Sequence, residues 1–155
     1  MDITRKTLPE QHYLYVDREA GFTGNEIADA MGSGFGEVFG FVQQHSMECM
    51  SMPVSMYVEM PNGPKMAFRC CMFVNAEDAK KATGSIKAGV IPAGDVATAM
   101  HIGSYANLNV SHKAIWDHCD AQGFEKGMPV WEHYIDDPSE VAEDQLRTEL
   151  YRALA

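Results

Sequence analysis

Tyr57-Val58-Glu59-Met60-Pro61 and Tyr134-Ile135-Asp136-Asp137-Pro138 are one short phrase written twice, 77 residues apart. In each, an aromatic and a branched aliphatic residue lead through an acid into a proline, the pattern of a strand running into a turn. The same shift sets Phe39 on Trp116 and Cys70–Val74 on Arg147–Tyr151. Working outward from this repeat gives the order of elements in both halves.

In the first half, Tyr13, Leu14, Tyr15 and Val16 form a strand that Gly21 closes. Thr23-Gly24-Asn25-Glu26 has the form of a capping box. Behind it Ile27, Met31, Phe35, Val38, Phe39 and Val42 recur at helical spacing, while glycines at 32, 34, 36 and 40 predict a break before Phe35. Strands follow over 54–59 and 65–75, joined by Met60-Pro61-Asn62-Gly63-Pro64, a hairpin connection.

In the second half, 95–102 alternates as a strand with Val96, Thr98, Met100 and Ile102 on one face. Leu108, His112, Ile115, Trp116 and Cys119 mark a helix that Gly123 ends, and Pro129–Ile135 is a strand. Periodicity alone leaves 146–154 open between strand and helix; its match to 69–74 makes it a strand. The first strands of the halves need a shift nearer 82, which places about five extra residues in the first helix. The expected fold is α+β: tandem strand–helix–strand–strand units (about 9–75 and 94–154) within one domain, 1–155. One helix and three strands cannot bury a face alone, so the halves pack with pseudo-twofold symmetry around a central ligand cleft.

The chain has 155 residues, 46% of them hydrophobic, and 12 Lys and Arg against 22 Asp and Glu give a net charge of −10. This balance argues against direct nucleic-acid binding and against anionic membranes. Six acids lie between 136 and 149 against Arg147 alone, a solvated turn surface. With no apolar h-region at the N-terminus and no membrane-length apolar run, the expected location is the cytoplasm. Cys49, Cys70, Cys71 and Cys119 read as reduced, buried thiols, since neighbouring strand residues point to opposite faces. Seven of eleven methionines fall between 47 and 72, as core filler or pocket wall.

Gly103-Ser104-Tyr105, Trp116 on a helix, Pro129 to Pro138 with its Glu-x-Tyr-x-x-Asp-Pro piece, and Arg147-Thr148-Glu149-Leu150-Tyr151 resemble the GyrI-like small-molecule-binding domains. These are effector-binding domains, also found fused to AraC-type and MerR-type DNA-binding regions of transcription regulators. The first half matches in element order, and the span from about Pro9 to Leu154 leaves no room for a helix-turn-helix, implying a stand-alone member. The resemblance implies a duplicated βαββ fold whose pocket takes bulky apolar, amphipathic or cationic compounds, for drug sensing or sequestration. It implies an acidic residue inside the pocket, which maps to Glu132, and no cofactor. Some stand-alone relatives hydrolyse strained cyclopropane-bearing compounds with a glutamate and an aromatic hydroxyl, here Glu132 and Tyr134. Others protect DNA gyrase by binding it, so a protein partner or a homodimer stays open.

The residues themselves single out Glu132, a carboxylate on an apolar strand with Val130 and Tyr134 on its own face. Burying it without a partner is costly and raises its pKa; pairing with Arg or Lys, or an edge position facing water, is the bland alternative. Trp116, Tyr57, Tyr134 and Phe39 are the expected aromatic walls, with core filling the alternative for Phe39 and Trp116. His101 either reaches the pocket mouth or is a solvated rim residue. His112 and His118, six apart on a helix, point to opposite sides, so no metal site is expected.

Overall fold

The computed structural model describes residues 1–48, 50–59 and 63–155; Cys49 and the hairpin residues Met60, Pro61 and Asn62 lie outside them. The elements are β1 (Thr4–Leu8), β2 (Gln11–Gly21), α1 (Gly24–Gln44), β3 (Val54–Tyr57), β4 (Lys65–Val74), α2 (Ala76–Ala79), β5 (Lys87–Ile91), β6 (Gly94–Ile102), α3 (Leu108–Gln122), β7 (Lys126–Tyr134) and β8 (Arg147–Leu154). The duplication is visible as β2-α1-β3-β4 followed by β6-α3-β7-β8.

The eight strands of the described residues form one antiparallel sheet in the order β1-β6-β8-β7-β3-β4-β2-β5. The order reads the same from either end, with the β3–β7 pair at its centre. There Ser55 stands opposite Glu132. Their numbers differ by the repeat interval of 77, so the pseudo-twofold axis passes through that pair.

The ladders correct the interval elsewhere. Val54 pairs with Cys71, and Trp131, its counterpart, pairs with Tyr151, so β4 maps onto β8 with a shift of 80. The expected overlay of Cys70–Val74 on Arg147–Tyr151 is thus three residues out. Cys71 in turn pairs with Tyr15 and Tyr151 with Thr98, giving 83 for β2 onto β6, close to the expected 82. A slip of three would also have turned every side chain of the strand to the wrong face.

β1 and β5 are absent from the sequence reading, and they exchange between the halves. β1 leads into β2 through Pro9 and Glu10 yet pairs with β6; β5 leads into β6 through Pro92 and Ala93 yet pairs with β2. Two-residue links between opposite ends of the sheet require it to curl until its edges approach. The inside of the curl is a core of its own, holding Tyr13, Tyr15, Met56, Cys71, Phe73 and Trp131. The outer face carries both long helices: α1 over Leu14, Val16, Phe68, Cys70 and Met72, and α3 over Ala97, Ala99 and Leu150. Cys70 and Cys71 point to opposite faces as expected, and Cys70, Cys71 and Cys119 are buried free thiols.

α1 runs unbroken through its glycines, against expectation. Thr23 caps it by accepting from Glu26 N, and Glu26 reaches back to accept from Gly21 N at 2.8 Å. A side chain at Gly32, Gly36 or Gly40 would meet nothing within 4 Å, whereas one at Gly34 would sit 2.4 Å from Cys70 Sγ. Gly34 is therefore a close-approach residue that brings the helix onto β4, and packing outweighs the weak local propensity. Gly123 ends α3 with φ +72°, as its type predicts. No described helix is long and apolar enough to cross a membrane.

Candidate functional site

Antiparallel pairing across the axis turns Ser55 and Tyr57 of β3, and Glu132 and Tyr134 of β7, toward the helices. α1 and α3 flank this strip from either side. Glu132 is buried, and both its oxygens are engaged: Tyr134 Oη donates to Oε1 at 2.6 Å, and His112 Nε2 lies 2.6 Å from Oε2. An ionised carboxylate only accepts, so this contact assigns a proton to Nε2. Met31 of α1 seats its thioether 3.7 Å from Ser55 Oγ and 3.8 Å from Tyr134 Oη. Edge contacts of Phe35 and Tyr105 with the Tyr134 ring, at centroid separations of 6.0 and 5.4 Å, complete the enclosure. These side chains from α1, α3 and the turn before it gather around the central Glu132–Tyr134 pair.

Electrostatics keep the phenols protonated. Burial, and next the Glu132 carboxylate, hold the Tyr134 and Tyr57 hydroxyls well above their ordinary range. Burial raises Tyr105 as well, helped by Asp136, Asp137 and Glu132. The strip therefore offers hydroxyl donors beside a carboxylate, in an apolar box of Met31 and Phe35. Such an arrangement can balance a lipophilic cation or move a proton between carboxylate and phenol.

Of the residues expected at the site, Glu132, Tyr134 and Tyr57 come together. Phe39 and Trp116 stand one helical turn beyond Phe35 and His112, 44% and 37% exposed, at equivalent points of the two helices. The core alternative fails for Phe39. Trp116 is flanked by cations, Lys126 Nζ at 4.5 Å and Arg152 at 4.6 Å from its ring centre. Arg152 therefore serves Trp116, and the partners of Glu132 are a histidine and a tyrosine instead of the Arg or Lys considered from sequence.

His101 is corrected in place: it is buried, not at a rim. Its Nδ1 lies 2.6 Å from Ser111 Oγ and its Nε2 3.0 Å from the Ser104 carbonyl, so one ring nitrogen ties β6 to the first turn of α3 and the other to the turn that leads into it. The reason is parity. Val96, Thr98, Met100 and Ile102 share the face away from α3, where Met100 and Ile102 are exposed, and His101 shares the helix side with Ala97 and Ala99.

His112, Met31 and Ser55 are site members that the sequence reading passed over. His112 and His118 do diverge, to Glu132 and to the ring of Phe124. The signal for His112 was in the repeat: Phe35 and His112 are 77 apart, as are Ser55 and Glu132. The second repeat has a His–Glu pair where the first has Phe and Ser.

A separate cavity of about 150 Å³ opens on the opposite face of the sheet, between Leu8, Ile91, Met128, Pro129, Trp131 and Ala153. It shares no residue with the Glu132 strip.

Several solved structures share this fold. The EcmrR C-terminal domain aligns with a TM-score of 0.78 at 19% identity, over 99% of this chain and 97% of that one. EcmrR in its DNA complex aligns at 0.81 and 19% identity over 99% of this chain, which spans 57% of the EcmrR chain. A hydrolase from Listeria innocua aligns at 0.67 and 15% identity, over 99% of this chain and 91% of that one. SAV2435 bound to tetraphenylphosphonium aligns at 0.65 and 9% identity, over 100% of this chain and 94% of that one. At these identities the likeness is one of fold. No curated protein sequence matches the chain. The family model for the GyrI-like small molecule binding domain matches residues 1–155, and to that family the chain belongs.

Proposed function

We propose that the strip between α1 and α3 binds bulky, amphipathic or cationic small molecules, with Glu132 as the counter-charge. One observation carries this reading: a carboxylate buried on the pseudo-twofold axis among aromatic and thioether side chains, paired among the described residues with His112 and Tyr134 and not with Lys or Arg. A buried carboxylate is costly, and neutralising a desolvated cation is a use that repays that cost. Exposed Phe39 and Trp116 at equivalent points of the flanking helices supply apolar walls at the rim. Tetraphenylphosphonium, which SAV2435 binds, is the natural first probe. At 100 times its dissociation constant a ligand adds about 2.7 kcal/mol to stability. A thermal-shift series with tetraphenylphosphonium, a cationic amphiphile and a neutral drug tests the reading; a midpoint that none of them moves contradicts it.

Hydrolysis is a second reading, favoured by the 2.6 Å contact of Tyr134 Oη with Glu132. There Glu132 takes the proton of an attacking water and the protonated Tyr134 donates to the group released. Its substrates are strained, activated apolar compounds such as cyclopropanes. Mass spectrometry of such a compound after incubation with wild type and Glu132→Gln separates this from binding: hydrolysis gives a water adduct only with wild type.

A further inference from the structure

We propose that His112 is the specificity-determining residue of this site: its imidazole holds the place beside Glu132 that a ligand's cationic centre takes. The inference rests on Glu132 being the counter-charge, and it states how access to that charge is controlled. A cation binds by displacing the imidazole, whereas a neutral ligand of the same shape leaves it on the carboxylate.

Three observations carry it. The first is contact: Nε2 of His112 lies 2.6 Å from Glu132 Oε2, and Tyr134 holds the other oxygen. The imidazole thus occupies one acceptor position of Oε2, on the side facing α3. The second is position. The His112 side chain is 26% exposed and that of Glu132 4%, so the histidine is the member of the pair that reaches solvent. The third is the internal comparison. Phe35 and Ser55 occupy the equivalent positions in the first repeat, at the same separation of twenty residues. The helix position thus works as an apolar packing site when no carboxylate lies below it, and as a donor when one does.

The two repeats also make the exchange one-sided. Phe35 packs on Tyr134 from α1 and offers no hydrogen bond, so α1 keeps the apolar wall in place. The α3 wall, by contrast, holds His112 on Glu132. Lys113, next to His112 in the chain, pairs with Asp117 at 2.7 Å, and the Arg152 guanidinium lies over Trp116. A ligand cation that displaces the imidazole replaces the lost charged hydrogen bond with its own attraction to Glu132, which a neutral ligand cannot do.

The experiment measures the affinities of tetraphenylphosphonium and neutral triphenylphosphine oxide by calorimetry, for wild type, His112→Ala, His112→Gln and Glu132→Gln. Without the competing imidazole, His112→Ala should bind tetraphenylphosphonium about tenfold tighter, a size set by one charged hydrogen bond. The phosphine oxide should change little, so the cation-to-neutral ratio rises. His112→Gln, which keeps a donor, should fall between the two. If His112→Ala unfolds, His112→Gln carries the comparison, and nitrogen-15 spectra of the wild type supply a second readout: tetraphenylphosphonium should shift the His112 Nε2 resonance and triphenylphosphine oxide should not. Unchanged or weaker cation binding in both variants, beside a loss in Glu132→Gln, overturns the role of His112 and leaves that of Glu132 standing. No binding of either compound to any form overturns both.

Discussion

Ser55 and Glu132 face each other across the central β3–β7 ladder, and they are the same position of the two repeats. A symmetric pair of strands has thus come to hold one hydroxyl and one carboxylate on its axis. Symmetry puts this pair where both helices can reach it, and the difference between the two residues gives the strip its charge. Tyr57 and Tyr134, equivalent in the same way, flank the pair with protonated hydroxyls.

The glycines of α1 offer a contrast within one helix. Gly34→Ala places a methyl 2.4 Å from Cys70 Sγ and 2.8 Å from Cys70 Cβ, so it should destabilise the fold by about 1–3 kcal/mol. Gly32→Ala, Gly36→Ala and Gly40→Ala meet nothing and should each stabilise it by about 0.5–1 kcal/mol. Urea unfolding of the four single variants checks both signs; a Gly34→Ala protein as stable as Gly36→Ala contradicts the close approach.

The thiols should be silent in the folded protein. Burial pushes Cys70 up to about 12 and lifts Cys71 and Cys119 above their ordinary range. At pH 8 only about one Cys70 in ten thousand is then a thiolate. Peptide mass mapping after iodoacetamide should find these three unlabelled in buffer and labelled in urea. Rapid native labelling of Cys70 would contradict the packing of α1 on β4.

His133 gives stability a pH dependence of known sign. It lies on the inner face of the sheet, with its ring against Phe73 at 5.1 Å and Tyr151 at 5.3 Å. Burial lowers its pKa below 6.5, with Glu149 opposing. As pH falls through about 6.5 the unfolded chain takes the proton first, so stability drops down to the folded pKa and then levels. His133→Gln should flatten this part of the curve between pH 7 and 5.5, measured by urea midpoints. A wild-type stability that rises over that interval contradicts the assignment.

Much of the fold was legible because it was written twice. The phrase ending in Pro61 and Pro138 located the central strands, and the repeat made the last segment a strand where periodicity left two choices. Even so, the shift is not one number: the β3–β4 and β7–β8 connections differ by three residues, which no single offset can express. β1 was invisible because Thr4-Arg5-Lys6-Thr7-Leu8 is a largely exposed edge strand with no apolar alternation. The helix break was wrongly expected because propensity counts glycines without knowing that Gly34 touches β4. At the site, the strand period gave Glu132 and Tyr134 a common face. His112 is set by a helix–strand contact twenty residues apart, which only the paired repeat positions could have suggested. His101 was misjudged because the face it shares with Ala97 and Ala99 is the one packed under α3, while Met100 and Ile102 on the other face are exposed.

The decisive measurement is calorimetric titration of tetraphenylphosphonium into wild type and Glu132→Gln, with triphenylphosphine oxide as the neutral control. Loss of a buried charge partner is worth about 1.5–3 kcal/mol, so Glu132→Gln should bind the cation about ten- to a hundredfold more weakly, with the oxide changed by less than about threefold. Equal affinity of both proteins for tetraphenylphosphonium would contradict Glu132 as the counter-charge of the site.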